Sequence, residues 1–492
     1  MRNKILQKLA GETAIYGITH TIGRLINFLL VPLYIKLFTP DDYGVLSTYY
    51  AVAGFAIVVL MYGMETAFFN FSREEKPEKV FATGQISLLV TTGILMLLGL
   101  TCQQGIANFL EHPDQTAFVR IFVFILALDA LSNLPLAWLR FKKQPVRFGL
   151  IRMTNILVNI GFNLFFLLLV PWLVKKGYTI PFYDPSFGVG YIFLSGLFAS
   201  LLMFVMLLPY WKNISEGFDG DLWKKMWKYG RPLIIIGLAG IVNEMIDRLL
   251  LLKMLPESVA DFEIGVYSAF YKLSMLMTIF VQSFRFAAEP FFFEQSKGQD
   301  PKLTYAKVMH YFVIALCLIF LVTLVFLKQI GPWIITREIY FKHPQAMMLT
   351  PILLLANLFL GIMYNLNIWY KLNNKMNIGM WISIGGALGT ILLNVILIPI
   401  IGILGSAIAT LVVYFGMAVS SYILGQKHYR VPYNLKMILF YIILSQALFW
   451  LYAFLNHIAP NYALLWSFLM LIGFITVVYI IERPMKNRKF AA

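Results

Sequence analysis

Long apolar runs, closed at each end by charges, Pro or Gly, recur along the whole chain. Windows of about 19 residues resolve fourteen of them as candidate membrane helices. The predicted spans are 13–38, 44–69, 81–103, 116–139, 148–172, 187–210, 232–252, 264–292, 305–327, 346–370, 376–398, 403–425, 435–457 and 462–481. The pattern predicts an all-α polytopic membrane protein of about 14 transmembrane helices. Its expected organisation is an N-terminal six-helix bundle (1–210), a cytoplasmic linker (211–231), a C-terminal six-helix bundle (232–425), and two additional transmembrane helices with a cytoplasmic tail (426–492).

Polar residues between the runs add an orientation. Of the 40 Lys and Arg residues, 27 fall in alternate loops or at the termini, and only Lys175, Lys176, Lys253, Lys328, Arg337 and Lys342 lie in the loops between. Retention of basic loops in the cytosol then places both termini on the cytosolic side, which requires an even number of spans. Arg2, Lys4 and Lys8 before the first run resemble the start of a secretory signal, but that run is too long and lacks a small-residue cleavage site. Composition agrees: 60% of residues are hydrophobic and 13% charged, so lipid is the expected solvent. The net charge of +16 is largely this loop asymmetry. Basic residues scattered over separate loops do not make a nucleic-acid-binding face. Cys102 and Cys317 both fall within apolar runs, so neither a disulfide framework nor a metal cluster is expected.

Two correspondences suggest an internal duplication. Pro40-Asp41-Asp42-Tyr43-Gly44-Val45 follows the first span, and Pro256 with Asp261 to Val266 follows the seventh, each an acidic loop ending in Gly-Val. Lys143 and Asn374 each precede an asparagine by twenty residues, Asn163 and Asn394.

Charge inside the membrane costs about 2.5–3.5 kcal/mol per group, so such residues are expected to face protein or water. His20, Arg24 and Asn27 share one face of the first span, just before Pro32. Arg152, Asn155, Asn159 and Asn163 form a stripe on the fifth, and Asp129 with Asn133 a turn of the fourth. Glu65 ends the second span. Glu244, Asp247 and Arg248 lie on the seventh, and Lys272, Arg285 and Glu289 on the eighth. Two readings coexist. The i, i+4 pairs Glu244–Arg248 and Arg285–Glu289 can neutralise themselves, and the asparagines and the Gly385/Gly389 face can serve helix packing. Alternatively these faces converge on a hydrated cavity in which Arg24, Arg152, Lys272 and Arg285 attract an anion, with His20, Asn27, Glu65, Asp129, Asn155, Asn159, Glu244, Asp247 and Glu289 as cavity polar or coupling groups. No phosphate loop, His-Glu-x-x-His motif or nucleophile elbow is present, so transport rather than catalysis is expected. No cofactor is expected. Without an ATPase, the drive would be an H+ or Na+ gradient or the membrane potential.

The run from Arg24 through Asn27, Pro32 and Pro40 to Gly44 resembles the opening of the bacterial Wzx-type polysaccharide-biosynthesis flippases, of the multidrug, oligosaccharidyl-lipid and polysaccharide exporter superfamily. Arg140-Phe141-Lys142-Lys143 and the weaker Leu404-Gly405-Ser406-Ala407 are similar to that family too. The resemblance implies a V-shaped, MATE-like alternating-access carrier in the bacterial inner membrane. It would move an undecaprenyl-pyrophosphate-linked oligosaccharide to the outer leaflet for O-antigen, capsule or exopolysaccharide assembly. Membrane lipid, a polysaccharide polymerase and a chain-length regulator are the implied partners. In that family cavity cations are held to bind the anionic substrate; Arg24 matches by motif, Lys272 and Arg285 by location. The multidrug cation antiporters of the superfamily are the alternative. They usually carry an acidic residue in the first helix, where this chain has Arg24 and only Glu12 at the edge. A polytopic glycosyltransferase is a third class, disfavoured by the short outer loops.

Overall fold

A computed structural model describes residues 23–487 apart from Arg24, Asn27, residues 297–299 and Asn374. Among the described residues there is no strand, and thirteen helices exceed seventeen residues. We label them α1 (Pro40–Met61), α2 (Pro77–Thr101), α3 (Thr116–Phe141), α4 (Pro145–Leu164), α5 (Gly190–Leu207), α6 (Gly220–Met254), α7 (Glu257–Gln295), α8 (Pro301–Val325), α9 (Ala346–Leu366), α10 (Met376–Ile401), α11 (Ile403–His428), α12 (Leu435–Ile458) and α13 (Ala463–Asn487). Twelve segments are long and apolar enough to span a bilayer, and the chain is a multi-pass membrane protein. Two of the fourteen expected spans are absent from those twelve. The first lies partly outside the described residues, and the seventh is a helix, α6, too polar to qualify on composition.

Prolines explain several helix starts. Pro40, Pro77, Pro145 and Pro301 each occupy the first helical position, where the missing N–H has no partner to lose and φ is already helical. Thr39 closes a capping box with Asp42, satisfying two amides that the helix cannot. In the loop before α6, Asp219 accepts from the amides of Leu222 and Asp221, and these bonds, Leu222 first, hold its carboxyl below the usual range. Residues 211–231, expected as a linker, form a 3-10 stretch (Leu208–Glu216) and the opening turns of α6. At Pro171 the missing amide cannot complete the helical ladder, and the preceding turn, Phe165–Leu169, widens to a π-helix.

The chain separates into two compact units, Met1–Gly265 and Val266–Ala492. In the first, α3 packs against α1, α2 and α5. Its core toward the basic end gathers Phe68, Phe81, Trp138 and Met226, and further along Tyr49, Phe118, Phe122 and Phe193 stack edge to face. In the second unit α11 packs on α9 and α10, while α12 and α13 lie along α8. Outward faces are apolar, as with Leu97, Ile443 and Phe454, which only a lipid solvent tolerates over so many positions.

The duplicated sequences meet a common structural need. Asn163 and Asn394 are both fully buried. Each donates its amide to the carbonyl four residues earlier, Asn159 and Thr390, at 2.8 Å, and each accepts from a hydroxyl elsewhere in the chain, Tyr34 at 3.0 Å and Ser406 at 2.7 Å. Gly44 and Gly265 are related in the same way. A Cβ on Gly44 would collide with the carbonyl of Asp261, and one on Gly265 with the carbonyl of Pro40, so each glycine admits the backbone four residues before the other. Of the expected Gly385/Gly389 face, only Gly389 lies against a neighbour, Val413; Gly386 packs beneath Met417, and Gly385 faces open space. One residue turns the face by about 100°, so the packed glycine moves to Gly386.

Gly44→Ala and Gly265→Ala are each expected to cost about 1–3 kcal/mol, the usual scale for forcing packed backbones apart. Gly93→Ala, where nothing lies within 4 Å, is expected to be neutral. Thermal unfolding in detergent checks this, and an unchanged Tm for Gly44→Ala would refute the close crossing.

Candidate functional site

In the first unit the intramembrane polar residues form a ladder. The second span breaks at Tyr62 and Gly63, both left-handed (φ 30° and 74°), before a short helix, Met64–Phe71. This break sets Glu65 toward α3. Its carboxylate accepts from Arg140 Nη2 at 2.6 Å and from Asn133 Nδ2 at 2.9 Å, while the guanidinium lies over Phe69 and Phe148. One turn of α3 away, Asp129 accepts from Ser200 Oγ at 2.8 Å. Arg152 lies within electrostatic reach of Asp129, Arg140 and Glu65, yet among the described residues it makes no ion pair. Two carboxylates and two guanidinium groups thus occupy one corner, and the cation without direct contact is Arg152. Asn159 is partly committed to packing, since its carbonyl and side chain both accept from Asn163. Asn155 is half-buried on the same stripe.

On α6 the expected Glu244–Arg248 pair does not form. Arg248 Nη1 instead binds Asp247 Oδ1 at 2.6 Å and the Glu244 carbonyl at 2.8 Å. Asp247 and Arg248 are both buried, and two charges leaving water together gain more by direct contact than either would from an exposed partner. The Glu244 carboxylate is exposed.

In the second unit Lys272 is half-buried. Arg285 lies toward the end of α7, its guanidinium 5.0 Å from the Tyr364 ring centroid, and it makes no ion pair among the described residues. It lines a small cavity with Phe284, Phe312, Tyr364, Asn365 and Lys371. Asn365 is 3% exposed, and among the described residues neither its amide nitrogen nor its oxygen has a hydrogen-bond partner. A buried amide left unpaired costs about 1–3 kcal/mol, and the cavity beside it, about 20 Å³, has room for a water-sized polar group. Arg285, which is exposed, and Lys371 give the mouth of this cavity a positive rim that favours an anionic group beside it. Glu289, the expected partner of Arg285, lies outside the described side chains, as do His20, Arg24 and Asn27. Sequence reading passed over Asn365, Tyr364 and Lys371 because the first two sit within a predicted apolar span and the third reads as an ordinary basic loop residue. Three asparagines in one apolar run, Asn357, Asn365 and Asn367, the last two followed within two turns by a lysine, were the available signal.

Residues 9–296 match the family model described as polysaccharide biosynthesis protein. No curated protein sequence matches the chain. Among solved structures the chain is similar to lipid II flippase MurJ in an inward closed conformation, at 14% identity and TM-score 0.69, covering 94% of this chain and 98% of that one. It is similar to a multidrug resistance MATE family transporter of the MOP superfamily in an inward-facing conformation, at 10% identity and TM-score 0.65, covering 82% and 94%. A third likeness is to the MATE transporter VcmN of Vibrio cholerae in the bent form, at 12% identity and TM-score 0.53, covering 87% and 97%. At such identities the likeness is one of fold, and it bears out the all-helical, MATE-like architecture expected from the resemblance. The model match covers more than half of the sequence, and the chain belongs to the polysaccharide biosynthesis protein family.

Proposed function

We propose that this protein carries an undecaprenyl-pyrophosphate-linked oligosaccharide from the inner to the outer leaflet of a bacterial cytoplasmic membrane, without catalysing a reaction, for surface polysaccharide assembly. The observation that carries the reading is the Arg285 cavity, where, among the described residues, a guanidinium without an ion pair lies beside a buried and doubly unpaired amide. Membership of a polysaccharide biosynthesis family supports the substrate class. Within the first unit, Arg152, with Arg24 added by sequence motif, would offer further positive charge to an anionic headgroup, and within the second so would Lys272. A polymerase and a chain-length regulator would then receive the product, and both termini would face the cytosol. Export of a cationic drug is the competing function. It is disfavoured because Glu65 is held by Arg140 and Asp129 by Ser200, leaving the carboxylates of that ladder committed.

In cells whose surface polysaccharide depends on this protein, Arg285→Ala and Asn365→Leu are expected to lower export about tenfold or more, the effect of losing one charge-assisted hydrogen bond. Surface polysaccharide and lipid-linked precursor are measured together; full export at normal expression would defeat the reading, as would drug resistance on overexpression. Glu65→Ala is expected to behave differently. With the pair about a third exposed, stranding Arg140 should cost about 1–3 kcal/mol. Restoration of the lost thermal stability in Glu65→Ala/Arg140→Ala checks it.

A further inference from the structure

A cavity of about 430 Å³ lies between α1, α2 and α3 of the first unit and shares no residue with the Arg285 cavity. The residues that α1 turns toward it, Tyr49, Ala53, Ala56 and Leu60, fall on one helical stripe, and their span makes the space about 16 Å long. Stripes of α2 around Met96 and of α3 around Val123 face them. α3 packs against both other helices and closes the far side. There Gly99 of α2 comes so near that a Cβ on it would lie 2.8 Å from a Val123 methyl. Between α1 and α2 the lining residues Val59 and Leu95 are 44% and 39% exposed, so the space opens sideways onto the apolar surface that lipid covers.

The lining restricts what can fill this space. Among the described residues no charged side chain faces it, and Tyr49 and Thr92 bring its only side-chain oxygens. The Tyr49 hydroxyl is directed to the Gln115 carbonyl, 3.5 Å away. Water stays in such a place only where two to four polar partners hold it, and they are missing. Left empty, a space of this size would forfeit packing on the scale of a protein's whole stability. Hydrocarbon is what reaches the mouth. At about 30 Å³ for each water-sized group, a methylene among them, the cavity takes about fourteen in a row. That is one ordinary fatty acyl chain. An undecaprenyl tail is several times larger and carries a methyl branch on every unit, so it would enter only in small part.

We infer that this cavity binds one acyl chain of a membrane phospholipid, inserted sideways between α1 and α2, and that the chain completes the packing of the first unit. It lies along α1 as far as Leu60, just before the left-handed Tyr62 and Gly63, and braces the helix where its hydrogen-bond ladder stops. Binding there does not depend on what the protein transports.

The full-length protein is reconstituted in phosphatidylcholine nanodiscs with a trace of phosphatidylcholine bearing a photoreactive carbene precursor at mid-chain, and adducts are mapped by peptide mass spectrometry. Met96 and Leu97 are neighbours on α2, the first lining the cavity and the second exposed to bulk lipid. Both are expected to be labelled in wild type. Ala53→Phe and Ala56→Phe each place a ring in the cavity, and each is expected to abolish labelling of Met96 while keeping that of Leu97. In a sterol-based detergent, which offers no straight chain, delipidated wild type is expected to gain thermal stability from added phosphatidylcholine. The gain should saturate at one lipid per protein and grow with acyl length up to about fourteen carbons, and both variants should lose it. Labelling of Leu97 without Met96 in wild type, or of Met96 unchanged in both variants, overturns the site. A gain equal in wild type and a folded variant, or independent of acyl length, overturns the chain's part in the packing. Should neither variant fold, wild-type labelling and the acyl-length series decide. Loss of Met96 labelling, with Leu97 labelling kept, when a small fraction of undecaprenyl phosphate joins the nanodisc lipid overturns the acyl-chain assignment in favour of a polyprenyl tail.

Discussion

A charge in lipid must find a partner or water, and this constraint orders the polar interior of the protein. The solutions differ by residue type. Glu65 and Asp247 take guanidinium partners, Asp129 takes a serine hydroxyl, and Glu482 takes a histidine and a tyrosine. Arg152 and Arg285 remain without direct carboxylate contact among the described residues. Stability alone does not call for such cations, since pairing or replacing them would be cheaper. The anionic cargo proposed above would account for them.

The duplication extends this economy to the backbone. Two asparagines at matching positions each spend one donor on the preceding turn and one acceptor on a distant hydroxyl. In lipid an internal amide bond of this kind replaces the water that a soluble helix would use. Paired glycines follow the same logic, because they let two helices approach until carbonyl groups of each lie against the other. Repeats in the sequence thus mark places where the membrane leaves few chemical choices.

How far the sequence could be read follows from where the information lies. Span positions are written locally in hydropathy, and twelve of fourteen reappear as apolar helices. The seventh was legible as a helix, although its membrane assignment is diluted by Glu244, Asp247 and Arg248. Partners were not legible. Glu65 meets Arg140 at a separation of 75 residues, and His310 meets Glu482 at 172, distances that no local period encodes. The i, i+4 rule misassigned Arg248 because it ignores which neighbour is buried. Asn365 was missed for a related reason, as an unsatisfied amide exists only once its surroundings are known.

The left-handed pair Tyr62–Gly63 has a mechanical consequence. A continuous helix is stiff because bending it must stretch its hydrogen-bond ladder, but here the ladder is already interrupted between α1 and the Met64–Phe71 helix. The second span therefore behaves as two rigid rods joined by an elbow. The first rod is pinned where Gly44 meets the Asp261 carbonyl, and the second is bolted to α3 through Glu65 and Arg140.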